Sequence, residues 1–245
     1  MPEESLILWP RATWWDHAWN PMIGCRKCSP ACQNCWAEAW ANRFHQSFDP
    51  HKSSARNIPH KGIVFMGSLS DLFGEWLDEA QITGWMASAA RPSRDARYMW
   101  LTKRAANMKR ALEYWSSKLV HPSAWFQRNY FGITAENQEW FDKRMGAVEV
   151  FPDWAQWWIS AEPLLGPIDF RFSEMTHKPN TVIVGCESGR NKRQCNLSWV
   201  ADIVEQCKAA GIPVFVKQIC LQNGKFTDRI EEFPSYLQIR QLGWL

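Results

Sequence analysis

The chain has 245 residues, 46% of them hydrophobic and 22% charged, which is enough for one large soluble domain or two small ones around a substantial core. The net charge of +3 permits an anionic partner without the strong basicity of most nucleic-acid binders. No apolar run approaches the ~20 residues of a membrane helix, and the start, MPEESLILWPR, is neither basic nor long enough for a secretory signal. A cytoplasmic location without membrane association is therefore expected.

Taken in chain order, an extended segment around Thr13–Trp19 leads into four cysteines within eleven residues: Cys25, Cys28, Cys32 and Cys35. Clustered thiolates are soft ligands that select zinc or iron–sulfur clusters. In a chain of this size, metal binding is a better reading of them than a disulfide framework. Cys186, Cys195, Cys207 and Cys220 are scattered and read as small buried hydrophobes. Beyond the cysteines, short runs rich in β-branched and aromatic residues predict strands at Ile63–Met66, Tyr98–Leu101, Tyr130–Ile133, Gln156–Ile159, Thr181–Val184 and Val214–Val216. Helices are predicted between them at Cys35–Gln46, Leu77–Ala90, Ala105–Ser117, Asn137–Val148 and Leu197–Ala210. Gly211 and Pro213 mark the end of the last helix. Asp169–Asn180 reads as a loop, and residues 221–245 read as a C-terminal extension of a domain spanning 1–220.

Strands and helices that alternate in this way imply parallel strands joined by helical crossovers, hence an α/β fold forming a full or partial βα barrel. Polar residues gather just after the strands: Ser68, Ser70 and Asp71; Lys103 and Arg104; Glu136; Ser160 and Glu162; Glu187; Lys217 and Gln218. In βα barrels those strand ends converge on one mouth, where chemistry sits. Some of these serines and threonines are expected to be helix caps instead. The seventeen tryptophans are read mainly as packing, with Trp14-Trp15 and Trp157-Trp158 placing one ring on each face of an extended segment. Stacking on a nucleobase is kept for one or two of them.

The cysteine loop is similar to that of radical S-adenosylmethionine enzymes, whose Cys-x3-Cys-x2-Cys spacing falls on Cys28, Cys32 and Cys35. Over most of its length the chain resembles a phage and prophage group of radical-S-adenosylmethionine-like proteins. The resemblance rests on TWWDHAWNPMIGC, SPACQNCWAE, VFMGSLSDLF, WLTKR, FGITAENQEW, ISAEPLLGPID, VIVGCESG and VFVKQ, in that order from Thr13 to Gln218. It implies a [4Fe–4S] cluster on Cys25, Cys32 and Cys35, with Cys28, where the family is usually aliphatic, as the alternative to Cys25. S-adenosylmethionine would bind the open iron and be cleaved to a 5′-deoxyadenosyl radical, with an external one-electron donor such as flavodoxin.

The resemblance further implies cofactor-binding roles for Trp36, Ser68, Ser70, Asp71, Glu136 and Arg193, and catalytic roles for Glu162, Glu187 and Lys217. Cys186 is a candidate for quenching the substrate radical, against the plainer reading of an inert thiol. The expected substrate is a modified DNA or pyrimidine nucleotide, specifically an aminoacylated thymine such as glycyl-thymidine that is isomerised during phage DNA hypermodification. Lys103, Arg104, Lys192 and Arg193 are expected to contact phosphates or to be ordinary solvated charges. Two other readings stay open. One is a pyrimidine repair enzyme resembling a photoproduct lyase. The other is a non-catalytic nucleic-acid module with zinc on all four cysteines, although its two CxxC pairs lie closer together than in most zinc ribbons.

Overall fold

The computed structural model describes residues 12–55, 57–89, 95–118, 127–148, 151, 155–189, 191–221 and 223–244. Ala90 and Leu245, the last residues of two predicted segments, lie outside them. The elements run β1 (His17–Trp19), β2 (Met22–Ile23), α1 (Trp36–Arg43), β3 (His51–Lys52), β4 (Lys61–Met66), α2 (Glu79–Ala89), β5 (Asp95–Thr102) and α3 (Ala105–Ser116). They continue with β6 (Asn129–Thr134), α4 (Gln138–Val148), β7 (Gln156–Ala161), β8 (Val182–Gly185), α5 (Leu197–Ala210), β9 (Val214–Cys220) and β10 (Phe226–Thr227).

Eight strands form one sheet in the order β1-β4-β5-β6-β7-β8-β9-β10. Neighbours pair in parallel from β1 to β9, and β10 returns antiparallel to β9. The sheet curls into a half-barrel, with β1 and β10 as its two edges and no ladder between them among the described residues. Of the two predicted architectures, the structure is thus the partial barrel. Each expected strand is present, and Asp169–Asn180 carries no helix or strand. The end of α5 forms as its sequence requires: Gly211 adopts φ 68°, a left-handed conformation open to glycine, and closes the last turn.

Alternation along the strands builds two cores. Val64, Trp100, Phe131, Trp157, Val184 and Val216 face the helices and join one large cluster. Their neighbours Ile63, Met99, Tyr130, Trp158, Ile183 and Phe215 point to the inner side of the curl. There they meet Trp14, Leu242 and Trp244, and the Trp14, Trp158 and Trp244 rings touch edge to face. Burial on both faces explains why the strands read as continuous apolar runs. Each fully buried large side chain contributes roughly 1.5–3 kcal/mol.

Trp157 and Trp158 occupy opposite faces as expected. Trp14 and Trp15 do not: both rings pack on Phe65 at the inner side. The reason is local, since residues 13–15 precede β1 and are not a strand, so strict alternation does not apply. The C-terminal segment is built into the core: Phe233, Leu237, Leu242 and Trp244 are buried, and Arg240 bridges to Phe215 of β9.

Candidate functional site

The inner face changes character toward the C-terminal ends of the strands. Above the aromatic layer, Phe65, Leu101, Thr134, Ser160, Glu162 and Lys217 line a cavity of about 210 Å³. The loop after β1 forms the facing wall with Cys25, Cys32, Cys35 and Trp36, and Cys186 and Glu187 after β8 complete it. Trp14 and Trp15 form part of its lining. The site therefore draws on nearly every strand exit, as the distribution of polar residues along the sequence anticipates.

The cysteine loop is held down by Ser68, Ser70 and Asp71, to which the resemblance gave cofactor-binding roles, together with Asn20 and Arg104. Asn20 Oδ1 accepts hydrogen bonds from Ser68 Oγ (3.2 Å) and Leu69 N (2.9 Å). Ser70 Oγ donates to Gly24 O at 2.7 Å. Asp71, buried, accepts from Thr102 Oγ1 (2.7 Å), Phe73 N (3.0 Å) and Lys103 N (3.2 Å) and pairs with Arg104 at 3.2 Å. Arg104 in turn pairs with Glu75 at 2.8 Å, donates to Arg26 O at 2.8 Å and lies 3.9 Å from Cys25 Sγ. Ser68, Ser70 and Asp71 line the cavity while anchoring this loop.

On the other flank, Asn34 Nδ2 donates to Glu187 Oε2 (3.0 Å) and Asn191 O (2.8 Å). Glu187 forms an ion pair with Arg193, whose Nη2 donates to Pro30 O at 2.9 Å. Burial pushes the Glu187 carboxyl up, but the Arg193 and Asn34 hydrogen bonds outweigh it and hold the group below its ordinary range. Glu187 is part of the cavity lining, whereas Arg193 is not.

Glu136 is fully buried, ion-paired with buried Arg144, and is also absent from the lining. Arg144 donates to Lys103 O (3.0 Å) and Thr134 O (2.7 Å) as well, so this pair fastens the exits of β5 and β6 from behind. Lys217 and Glu162 face each other at 2.5 Å, with Gln218 Nε2 donating to Glu162 at 2.8 Å and to Cys186 O at 2.7 Å. Lys217 also lies over the Trp15 ring at 5.6 Å. Thr134 Oγ1 is buried at the cavity wall without a hydrogen-bond partner.

All eight cysteines are free thiols. A hydrogen bond from Cys28 and the nearby Lys103 pull Cys32 below the ordinary thiol range against opposing burial, and the same bond pushes Cys28 up. Burial and Asp71 push Cys25 up to about 11, with Arg104 opposing them. Among the described residues no three His, Cys, Asp or Glu side chains converge as a group that could hold a metal ion. A cluster makes a different demand, because each thiolate meets its own iron. Three soft sulfur donors that share one cavity fit that demand by their chemistry. Cys28 is not among the residues that line the cavity. Sequence reasoning missed Asn20 and Asn34, which hold the loop from either side. The only signal was their place within the WNPMIGC and QNCW segments.

A curled, mostly parallel α/β sheet with a thiol-walled cavity at the C-terminal ends of its strands defines the class. The chain belongs to the family described as "Protein of unknown function (DUF5131)", which matches residues 10–232. No curated protein and no solved structure matches it.

Proposed function

We propose that the chain is a radical S-adenosylmethionine enzyme that isomerises an aminoacyl-modified thymine, such as glycyl-thymidine, in phage DNA. The observation that carries this reading is the common cavity: Cys25, Cys32 and Cys35 form one wall, and the polar strand exits form the other. Cys25, Cys32 and Cys35 would hold a [4Fe–4S] cluster. When bound, that group supplies one electron to S-adenosylmethionine and so gives the 5′-deoxyadenosyl radical.

The remaining residues bind, orient and exclude water. Glu162 and Lys217 offer a carboxylate and an ammonium to the two ends of an aminoacyl group, and Thr134 Oγ1 has hydrogen-bonding capacity to spare. Trp14 and Trp15 present apolar surface to the cavity, which limits water near a reactive carbon. Burial, with Cys220 alongside, pushes the Cys186 thiol up and keeps its proton on Sγ at the cavity wall.

The test is anaerobic reconstitution with iron and sulfide, followed by electron paramagnetic resonance with and without S-adenosylmethionine and a flavodoxin-type donor. The expected result is a reduced-cluster signal that changes with the cofactor, with 5′-deoxyadenosine formed. Nucleosides from DNA carrying the adduct are then separated by retention time and fragmentation, because isomerisation leaves mass unchanged. Stoichiometric zinc with no cofactor response would defeat the reading, and turnover of UV-damaged DNA alone would replace the substrate.

A further inference from the structure

Three of the five large hydrophobic side chains that stand exposed among the described residues lie along α1 and its C-terminal cap: Trp36, Trp40 and Phe44, at 50%, 37% and 54% exposure. Positions four apart share one face of a helix, so the rings form a single stripe about 12 Å long at 1.5 Å per residue. Ala37 and Ala41 bury the opposite side. The inner end of the stripe, Trp36, lines the cavity, and the outer rings, Trp40 and Phe44, sit 5.1 Å apart. Exposed apolar surface of this continuity marks an interaction site.

Charge selects the partner. Arg43 is exposed and three residues from Trp40, on the same face. The one acid of α1, Glu38, projects elsewhere and is tied to Lys27 at 2.9 Å. The carboxylates in the cavity lining, Asp71, Glu162 and Glu187, are each ion-paired, while Lys103 makes no ion pair among the described residues. A cation beside flat rings complements unpaired nucleic acid, whose bases stack on aromatic side chains with little regard to sequence. A nucleotide delivered into an enclosed site must leave its own stack, and its neighbours then need another surface.

We propose that α1 is a stacking platform for the unpaired bases that flank the nucleotide entering the cavity. This shares the nucleic-acid substrate of the proposed function and is independent of its radical chemistry. Fluorescence anisotropy of labelled single-stranded and duplex oligonucleotides, with purified protein lacking any cluster, tests it. Single strands should bind more tightly than duplex. The Trp40→Ala/Phe44→Ala double variant should weaken single-strand binding by about tenfold, toward the low end of base–aromatic stacking. Tyr236→Ala, which removes an exposed ring elsewhere, should bind as the wild type does. Circular dichroism melting checks that each variant folds, and Trp40→Phe, which keeps a ring at that position, should bind nearly as the wild type does. Wild-type affinity in the double variant, equal losses in Tyr236→Ala, or no single-strand binding at all would overturn the proposal. So would retained oligonucleotide binding with loss of flavodoxin binding, which would assign the stripe to a protein partner. Absence of a cofactor-dependent paramagnetic signal in the wild type would remove the radical reading and leave the oligonucleotide result standing.

Discussion

Arg144 fastens two strand exits with one guanidinium, because it pairs with buried Glu136 while donating to the carbonyls of Lys103 and Thr134. Removing one partner strands the other charge in the interior, so Arg144→Ala is expected to cost about 3–5 kcal/mol, read by urea unfolding. A loss near zero would show that water reaches Glu136. Glu187 makes a pH prediction. Its folded pKa is depressed, so its stabilisation is present above the unfolded value of about 4.3 and is lost as pH falls through the lower, folded value. The stability gap between wild type and Glu187→Gln should therefore be level above about pH 5 and narrow below that unfolded value; a gap that does not depend on pH would contradict this. For the cysteines, Cys25→Ser should abolish cluster binding and Cys28→Ser should spare it, measured as iron per chain after reconstitution. The reverse pattern would move the triad to Cys28. The places of Glu136 and Glu187 just after strands were legible in the sequence, but their partners were not. Glu136 and Glu187 both read simply as polar residues just after a strand. Arg144 and Arg193, which neutralise them, are recognised only when a helix or loop folds back over the strand exit.

At the level of elements, β6 and β7 depend on one small residue. Gly132 lies opposite Trp158 in the ladder, and a Cβ there would overlap the indole. Gly132→Val is expected to cost about 1–3 kcal/mol by overpacking and to lower the thermal midpoint. An unchanged midpoint would mean that the indole has another resting place. Strands were the most readable part of the chain, because burial on both faces demands unbroken apolar runs that end where the polar mouth begins. Alternation succeeded at Trp157 and Trp158, which are within a strand, and failed at Trp14 and Trp15, where no ladder enforces it. The anchoring of the cysteine loop was also illegible: Ser68, Ser70 and Asp71 reach back across more than forty residues to Asn20, Gly24 and forward to Arg104, and sequence spacing says nothing about such pairings.

For the molecule as a whole, the inner aromatic layer joins distant parts of the chain. Trp14 comes before the first strand and Trp244 after the last, yet their rings meet at 6.0 Å. Trp244→Ala should cost about 3–5 kcal/mol, as for other buried tryptophans, in chemical denaturation. A truncation at residue 220 should fail to give a cooperative transition, and a cooperative one would show that the sheet stands without its tail. A sequence reading that ends the domain at 220 is understandable, because the buried hydrophobic side chains beyond it, Phe233, Leu237, Leu242 and Trp244, are spaced too irregularly to announce a helix or strand. The order of synthesis follows from the same layer. Every strand leaves the ribosome before Trp244 does, so the nascent sheet must wait with its hollow side wet and adhesive until the closing ring arrives. Substitutions near the tail should therefore reduce the yield of newly made protein, by lengthening its exposure to chaperones and proteases, more than they disturb molecules already folded.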